Sequence, residues 1–434
     1  MLSEHPRFKN PFLLWQVGAL LVLAIAGTAY RTVDNYSPPS KEFNWHARGH
    51  SDFHYGTYLP SKAFRERVNP YTSEFREKYS AARETPPYSP FVFFLHLPFS
   101  LLDLETANIA FFVYNLGLMF ALAFCAFRFS GGKQFSVWLT ISLLLLLSRP
   151  AHQSLFTGYF TVEMAIGTGI ALHFARTQPW VAGLGILLTS SKPTFVIPLL
   201  LLMLCRQDFR AVIWGFCLCA ITASTGLLWI ANGDSLIDVF DSIRAAQDIH
   251  EGDKMSQPFH SWTRTDILGV VSKPLRANPG AVVALSSMLV MLIPIGYSLR
   301  RLAARSVENG AAGLGGLIAT LFILVGFYHH TYDALILLFP WVGLVFFGPK
   351  IYGDLAPRIR HVLAILLSVP AVNYAATLFV KGKLDLADGN VFWIVITMLN
   401  GICLAIALAI AVFLALRHPI EGSNQPLPDN VPST

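Results

Sequence analysis

Long apolar runs separated by polar connections recur along almost the whole chain. The first extends from about Pro11 to Tyr30, and similar runs follow between Phe91 and Leu416. A perpendicular membrane helix needs about 20 apolar residues, and several of these runs are shorter. Short or broken helices are tolerated at membrane depth where they line a protein-walled cavity. The pattern predicts an all-α polytopic membrane protein with about 12 transmembrane helices.

One polar segment, Arg31–Pro90, interrupts this pattern between the first two apolar runs. Long loops in compact proteins are usually functional or disordered. The aromatic residues of this segment argue against a disordered tether, among them Phe43, Trp45, Phe53, Tyr55, Tyr58, Phe64 and Tyr71. We therefore predict a long, ordered exterior loop that carries the chemistry.

The chain is predicted to form a single integral membrane domain over residues 1–434. Its parts are a cytoplasmic tail with the first transmembrane helix (1–30), the exterior catalytic loop (31–90), two transmembrane blocks (91–204 and 205–416, the second with an exterior loop at 232–280) and a cytoplasmic tail (417–434).

The composition agrees with a membrane protein and gives no sign of a nucleic-acid partner or a zinc site. The chain is 54% hydrophobic and 13% charged, whereas a soluble domain carries roughly 25% charged residues. The net charge of +6 therefore gives no reason to expect a nucleic-acid partner. The distribution of Lys and Arg among the connections matters instead, because it sets topology. The five cysteines show no CxxC or CxxH spacing, so neither a disulfide framework nor a zinc site is predicted.

Basic residues predict the orientation. Arg7 and Lys9 precede an apolar run longer than a typical signal peptide core, which indicates a retained anchor with a cytoplasmic N-terminus. The basic connections then fall on the cytoplasmic side: Arg206–Arg210, Arg300–Arg305, Lys350–Arg360 and Arg417-His418. The 31–90, 232–280, 329–333 and 381–390 connections fall outside. Arg128 and Lys133 would also lie outside, which indicates different threading between Phe91 and Leu204.

Asp52 is the main candidate for a catalytic residue. It lies about 20 residues beyond the first apolar run, where a carboxylate can accept a proton from an attacking sugar hydroxyl. The pKa of an ordinary Asp is ~3.9, so it must act late, as the hydroxyl becomes acidic. The alternative is a surface Asp that caps a short helix.

Lys192, His329, His330 and Arg264 are the candidates for binding an anionic group such as a phosphate. Lys192 interrupts an apolar run, where a charge costs roughly 2.5–3.5 kcal/mol on insertion scales. The two histidines stand at a helix junction, where they could donate to phosphate oxygens. The alternatives are a lysine that snorkels to a headgroup and histidines of an ordinary interfacial loop. We expect Arg149, His152 and Glu163, at another junction, to line the same cavity or its cytoplasmic end.

Several short pieces together resemble a known family. They are Ser51–Tyr55, Asn69-Pro70-Tyr71, Pro86-Pro87-Tyr88 before a helix, Tyr114-Asn115, Gly158–Glu163, Ser191-Lys192-Pro193, and the His329–Asp333 junction before a helix with Pro340. Over roughly Met1–Pro340 their order and spacing resemble GT-C type membrane glycosyltransferases, specifically glycosyltransferase family 87. Tyr159 and Thr161 stand where the family pattern has Gln and Asn.

The resemblance implies an inverting glycosyltransferase with a GT-C fold in the inner (plasma) membrane, its active site facing the periplasm or exterior. It implies a polyprenyl-phosphate sugar donor, mannose above all, and a glycolipid or glycan acceptor. It also implies that Asp52 is the catalytic residue and that His329 or His330 lies near the donor phosphate. We further assign His54, Tyr55, Tyr58 and Tyr332 to substrate binding. Tyr55 and Tyr58 could stack on sugar faces, and the alternative for them is anchoring at the membrane interface. No cofactor is expected, and no ligand spacing supports a divalent metal.

Two alternatives remain open on the sequence. A transporter or a flippase for lipid-linked sugars would use Lys192, Glu163 and broken helices as a midplane site. A non-enzymatic scaffold fits any membrane protein, and it predicts that no single Asp matters.

Overall fold

The computed structural model describes residues 11–42, 44, 47–82, 88–253, 256–303, 310–353, 355–387 and 389–417. In this part of the chain the secondary structure is helical, and the two β-bridges are isolated pairs. Several residues used in the sequence analysis lie outside the described residues: Arg7, Lys9, Phe43, Trp45, Pro86, Pro87, Arg305 and His418.

Five described helices are long and apolar enough to cross a membrane. They are α1 (Pro11–Asp34), α6 (Leu104–Phe129), α12 (Phe209–Ala231), α15 (Ala281–Ala303) and α21 (Val391–Arg417). A sixth span arises if α7 (Phe135–Leu146) and α8 (Arg149–Thr157), which meet at a bend of 67°, count as one. The architecture is that of a helical membrane protein, but the described helices do not support the expected count of twelve spans.

The remaining helices are shorter. Along the polar segment and the first block they are α2 (Ser51–Phe53), α3 (Leu59–Arg65), α4 (Ser73–Tyr79), α5 (Phe91–Leu95), α9 (Thr161–Phe174), α10 (Pro179–Thr189) and α11 (Pro193–Cys205). Later come α13 (Leu236–Gly252), α14 (Ile267–Leu275), α16 (Leu314–Gly326), α17 (Leu338–Phe346), α18 (Gly348–Tyr352), α19 (Pro357–Val372) and α20 (Leu378–Lys383). A π-helical turn (His54–Tyr58) joins α2 to α3, and 3₁₀ helices occupy Leu97–Leu101 and Thr331–Leu337.

The polar segment is not one long loop, which corrects the prediction for residues 31–90. Its first residues continue α1 to Asp34, and Ser51–Arg65 forms an unbroken helical stretch. The buried aromatic side chains of this stretch, such as Phe53 and Phe64, explain why it folds onto the membrane helices.

Helix α16 lies at the centre of the molecule. Every residue from Leu314 to Val325 is buried, and the helix packs against α11, α15, α17 and α21. Helices α9 and α10 approach each other closely at Gly167 and Gly185, where an added Cβ on Gly167 would lie 2.6 Å from the Gly185 carbonyl. Small residues allow such close approach in membrane bundles.

The basic connections come together at one end of the molecule, which we call the basic end. Arg176 donates to the Asp208 carboxylate at 3.1 Å and to the Ala303 carbonyl at 2.7 Å. Arg301 donates to the Leu416 carbonyl at 2.9 Å. These contacts join the ends of α9, α11, α15 and α21.

The turn with Arg128 and Lys133 also lies at the basic end. Phe129 stacks on His173 with 4.0 Å between ring centroids, three residues before Arg176. The reason is that the apolar run from Phe91 to Leu102 does not cross the molecule. It folds into two short helical pieces. Helix α6 therefore begins at the same end of the molecule as α5 and runs to the basic end.

The other polar connections converge at the opposite end, which we call the cavity end. Hydrogen bonds join them in pairs: Asn69 to Ser242 at 2.9 Å, the Thr265 N–H to the His329 carbonyl at 3.0 Å, and Arg149 to the Asn373 carbonyl at 2.8 Å. Segments far apart in sequence are thus brought together around one space.

Candidate active site

Asp52 is held at the start of the helical stretch Ser51–Arg65. His50 adopts a left-handed backbone with φ of 59°, and its N–H donates to the Phe156 carbonyl at 2.8 Å. Phe53 is buried and stacks on Phe111 at 4.2 Å. With its backbone fixed on both sides, the half-buried Asp52 faces a cavity of about 2040 Å³.

Gly158 allows this helix to lie close to α8. It ends α8 with a φ of 72°, and a Cβ added there would lie 2.6 Å from the Cβ of Phe53. A larger residue would be strained by its backbone and would push Phe53, and with it Asp52, away from α8.

The three predicted substrate-binding residues that follow Asp52 do not line the cavity. Tyr55 exchanges hydrogen bonds with the backbone of Ser40, and Tyr58 donates to the Leu102 carbonyl at 2.9 Å. His54 is 1% exposed and faces Asn108. A helix of mixed π and α turns points only some of its residues at the cavity, and here Ser51 and Asp52 are the ones that line it.

Asn108 on α6 organises the two histidines that flank Asp52. Its Oδ1 accepts from His50 Nδ1 and from His54 Nε2, both at 2.9 Å. Both rings must then carry their proton on the donating nitrogen. Burial lowers the pKa of His54 to about 4, while the hydrogen bond to Asn108 works against this shift, so the ring is neutral near pH 7. Asn108 therefore anchors this helix to α6 without adding charge beside Asp52.

Lys192 lines the cavity, and its charge is matched by Asp333. The Lys192 Nζ lies 3.0 Å from the Asp333 carboxylate, and both side chains are buried. Asp333 also accepts from His329 Nδ1, from the His330 N–H and from the Thr161 hydroxyl. The histidines of this junction were the predicted ligands, whereas Asp333 is the residue that holds the junction together.

His329 lies behind the cavity wall. Its Nδ1 bonds Asp333 at 2.9 Å and its Nε2 bonds the Thr194 carbonyl at 3.1 Å. His330 does line the cavity, but its two ring nitrogens bond Thr263 and Tyr328, both at 2.6 Å. Each imidazole has only two nitrogens, so neither ring has one left for a ligand.

Arg264 lines the cavity beside Tyr328 and is paired with Asp266. Two of its N–H groups donate to the Asp266 carboxylate at 2.8 and 2.9 Å, and a third donates to the Ser256 carbonyl at 2.8 Å. Its guanidinium lies 4.7 Å from the Tyr328 ring centroid. Arginine has five N–H donors, so two remain for a ligand.

Aromatic rings surround Lys192. Its Nζ lies 5.7–5.8 Å from the ring centroids of Tyr159, Phe195, Tyr328 and Tyr332. Tyr332 packs on Tyr159 at 4.4 Å, and Tyr88 meets Tyr159 through their hydroxyls at 3.2 Å. Tyr88, Tyr159, Tyr328 and Tyr332 all line the cavity. Of these, only Tyr332 was assigned to the site from the sequence.

The short motif Asn69-Pro70-Tyr71 has a structural role next to this wall. The Asn69 side chain accepts from the Tyr71 N–H at 3.0 Å, and the Tyr71 hydroxyl donates to the Tyr88 carbonyl. The Ser89 N–H in turn donates to the Ser191 carbonyl at 3.3 Å. The motif thus connects the polar segment to the chain just before Lys192.

Three arginines form a second group of cations on the cavity wall: Arg31, Arg48 and Arg149. Arg149 and His152 were expected near the site and do line the cavity, whereas Arg31 and Arg48 were missed. Arg31 ends an apolar helix, where a basic residue reads as an ordinary membrane flank. Arg48 stands in the polar segment with no motif around it.

Glu163 does not line the cavity. It is 3% exposed, and one carboxylate oxygen accepts from His96 and from Tyr114, both at 3.0 Å. It therefore holds α5, α6 and α9 together. No group of three or more His, Cys, Asp and Glu side chains in the described part of the chain is arranged to hold a metal ion.

One wall of the cavity is apolar. Leu268 on α14, Ala284, Leu285 and Met288 on α15, and Phe327 after α16 line it. Leu285 is 56% exposed, and other apolar residues on the outer face of α15 are also exposed. The cavity thus has charged groups on one side and, on the other, an apolar helix surface of the kind that faces lipid.

Comparison with known proteins gives one positive finding. The family model of glycosyltransferase family 87 matches residues 87–325, more than half of the 434-residue chain. No curated protein and no solved structure matches the chain.

Proposed function

Since the chain belongs to glycosyltransferase family 87, we propose that it transfers a sugar, mannose above all, from a polyprenyl-phosphate donor to a glycolipid or glycan acceptor. One observation carries this proposal. Asp52 and three of the four predicted phosphate-binding residues, Lys192, Arg264 and His330, line one cavity although they lie far apart in sequence.

The cavity suits a lipid-linked donor. The polyprenyl tail would lie along the apolar wall of α14 and α15, and the phosphate would sit near Lys192 and Arg264. Lys192 gives one of its three N–H donors to Asp333, so two remain for phosphate oxygens. Fixed donors in a site with little water stabilise the charge that develops on a leaving phosphate.

Asp52 would act as the base. As the acceptor oxygen bonds to the anomeric carbon of the donor, its proton passes to the Asp52 carboxylate. The bond from the anomeric carbon to the phosphate oxygen breaks, and its electron pair leaves with the lipid phosphate. Attack from the face opposite the leaving group inverts the anomeric configuration, through an oxocarbenium-like transition state as in glycoside hydrolysis.

The distribution of basic residues supports an active site on the exterior side of the cell's inner (plasma) membrane. Lysine and arginine accumulate in cytoplasmic connections. The basic end would then face the cytoplasm, and the cavity would face the periplasm or exterior. Nucleotide sugars are not expected there, which favours the lipid-linked donor.

A transfer assay tests the proposal. Purified protein in lipid would receive radiolabelled polyprenyl-phosphate mannose and a membrane lipid extract as acceptor. We expect wild type to form a labelled glycolipid and Asp52→Asn to be at least ~100-fold slower, because a general base contributes about 10²–10⁴-fold.

Asp238→Asn is the matched control, because Asp238 also stands in the first turn of a helix but is exposed and does not line the cavity. Its rate should equal that of wild type. Equal rates for Asp52→Asn and wild type would refute the role of Asp52. Labelled donor that only crosses between leaflets would show a flippase instead.

A further inference from the structure

The two groups of cations in the cavity differ in how their charge is matched. Lys192 is paired with Asp333, and Arg264 is paired with Asp266. The three arginines of the other group, Arg31, Arg48 and Arg149, have no such carboxylate of their own in the described part of the chain. The excess of positive charge in the cavity therefore lies on the arginine side.

Contacts place these arginines close together. Arg149 and His152 are three residues apart on α8, and Arg31 lies 3.2 Å from His152 Nε2. The Tyr374 hydroxyl is within electrostatic reach of both Arg31 and Arg149. Burial lowers the pKa of Arg48, and the charges of Asp52 and Arg31 act on it in opposite directions. The three guanidinium groups thus lie in one region that extends to Asp52.

The hydrogen bonds of these arginines leave donors unused. Arg149 donates to the Asn373 and Ala376 carbonyls, so three of its five N–H groups remain. Arg31 stacks over Phe156 at 4.5 Å and faces His152. Arginine is the residue best suited to bind phosphate or carboxylate groups through paired N–H donors.

The other acidic residues on the cavity wall lie elsewhere. Besides Asp52, the lining carboxylates are Glu251, Asp253 and Asp266. The Asp266 carboxylate accepts from Arg264. The backbone carbonyl of Asp253 accepts from the N–H of Ser256, and the Ser256 carbonyl accepts from Arg264. Asp266 and the chain around Ser256 thus belong to the Arg264 side, whereas Asp52 is the lining carboxylate whose charge acts on Arg48.

We propose that Arg31, Arg48 and Arg149 form an anion-binding subsite that holds a phosphate or carboxylate group of the acceptor next to Asp52. The inference rests on the proposed function, since it takes Asp52 as the base and the Lys192 side as the donor side. It adds a substrate class: the acceptor is anionic. A negatively charged headgroup bound by the arginines would bring a neighbouring hydroxyl to Asp52.

Binding of simple anions tests the subsite without the transfer reaction. The full chain in lipid nanodiscs would be titrated with dihexanoylphosphatidylglycerol, dihexanoylphosphatidylcholine and inorganic phosphate, followed by tryptophan fluorescence, because Trp262 lines the cavity. Phosphatidylglycerol should bind and phosphatidylcholine should not. Arg31→Gln should weaken binding about tenfold or more, since a charge-assisted hydrogen bond is lost, and Arg31→Lys should recover part of it.

Arg67→Gln is the matched control. Arg67 is exposed and stacks over Trp229 at 4.4 Å, much as Arg31 stacks over Phe156, but it does not line the cavity. Arg31 is preferred to Arg149 for the test because Arg149 also fixes α8 to the chain near Asn373. Inorganic phosphate that binds with the same dependence on Arg31 would support the subsite and identify a free phosphate group as sufficient.

The same variants in the transfer assay separate this inference from the proposed function. Arg31→Gln should raise the half-saturating concentration of acceptor and leave that of the donor unchanged. A rise for the donor alone, or equal binding of both phospholipids, or equal binding by wild type and Arg31→Gln, would overturn the subsite. Wild type that binds phosphatidylglycerol through Arg31 but transfers no sugar would refute the proposed function while leaving the subsite in place.

Discussion

Lys192 is tolerated inside the helix bundle because the Asp333 carboxylate lies 3.0 Å from it. A buried charge without a partner is very unfavourable, and a buried pair is tolerated when further hydrogen bonds complete it. Here His329, the Thr161 hydroxyl and the His330 N–H donate the further hydrogen bonds to the Asp333 carboxylate. The pair therefore supplies a rigid lysine, held by the fold, with N–H donors left for a ligand.

Removing Lys192 should affect stability and activity in different ways. Lys192→Met leaves the Asp333 charge buried, so the free energy of unfolding should fall by about 3–5 kcal/mol. Adding Asp333→Asn removes that charge, and the double variant should unfold at a higher temperature than Lys192→Met. Transfer should stay lost in both variants. A double variant that regains both stability and transfer would show that Lys192 has only a structural role.

His54 should make stability depend on pH. Burial lowers its pKa to about 4, whereas in the unfolded chain it titrates near 6.5. Between these values the unfolded state binds a proton that the folded state does not, so stability is complete above pH ~6.5 and falls as the pH drops toward 4, by at most about 3 kcal/mol.

Thermal unfolding in detergent between pH 7 and 5 measures this effect. His54→Gln keeps an N–H donor toward Asn108 but cannot titrate, so its unfolding temperature should fall less than that of wild type. Identical falls in both proteins would assign the acid sensitivity to other groups.

The sequence identified some residues of the candidate site better than others. Asp52 was singled out because the resemblance to glycosyltransferase family 87 implies a catalytic Asp in the first exterior loop, and Lys192 because a charge inside an apolar run is costly. Tyr55 and Tyr58 were assigned to the substrate because exterior aromatic rings can stack on sugar faces. Which way each faces depends on the π-helical turn from His54 to Tyr58, and no sequence pattern predicted that turn.

At the scale of elements, the helix that carries Asp52 depends on α6. Asn108 accepts from both histidines beside Asp52, and Phe111, one turn later, stacks on Phe53. The sequence predicted that the polar segment is ordered, because it is rich in aromatic residues. It did not predict the helix, because the partners that bury those residues come from α6 and α8.

Replacing Asn108 tests this dependence. Asn108→Ala leaves two buried imidazole donors without an acceptor, at a cost of about 1–3 kcal/mol for each such group. The unfolding temperature and the transfer rate should both fall, because the support of Asp52 is lost.

Asn108→Asp is the matched variant, since a carboxylate can still accept from both rings. It should be more stable than Asn108→Ala. If Asn108→Ala kept wild-type stability and transfer, the histidines would not be what positions Asp52.

At the scale of the whole molecule, the arrangement of the two ends could be predicted better than the number of spans. Basic residues separated the connections into two sets, and the structure brings most of each set together. The count failed because length alone does not tell a crossing helix from a re-entrant one. The run from Phe91 to Leu102 stays at the cavity end, where the Tyr58 and Arg65 side chains donate to the Leu102 and Ser100 carbonyls.

Labelling of single cysteines decides which side of the membrane each end faces. Ser73→Cys lies on α4 at the cavity end, and Thr177→Cys follows α9 at the basic end; both positions are exposed. In intact cells an impermeant maleimide should label Ser73→Cys above the background of the native cysteines. Thr177→Cys should react only after the membrane is made permeable, because the basic end is expected to remain in the cytoplasm. The reverse result would place the cavity on the side where nucleotide sugars are made, and the lipid-linked donor would lose its main support.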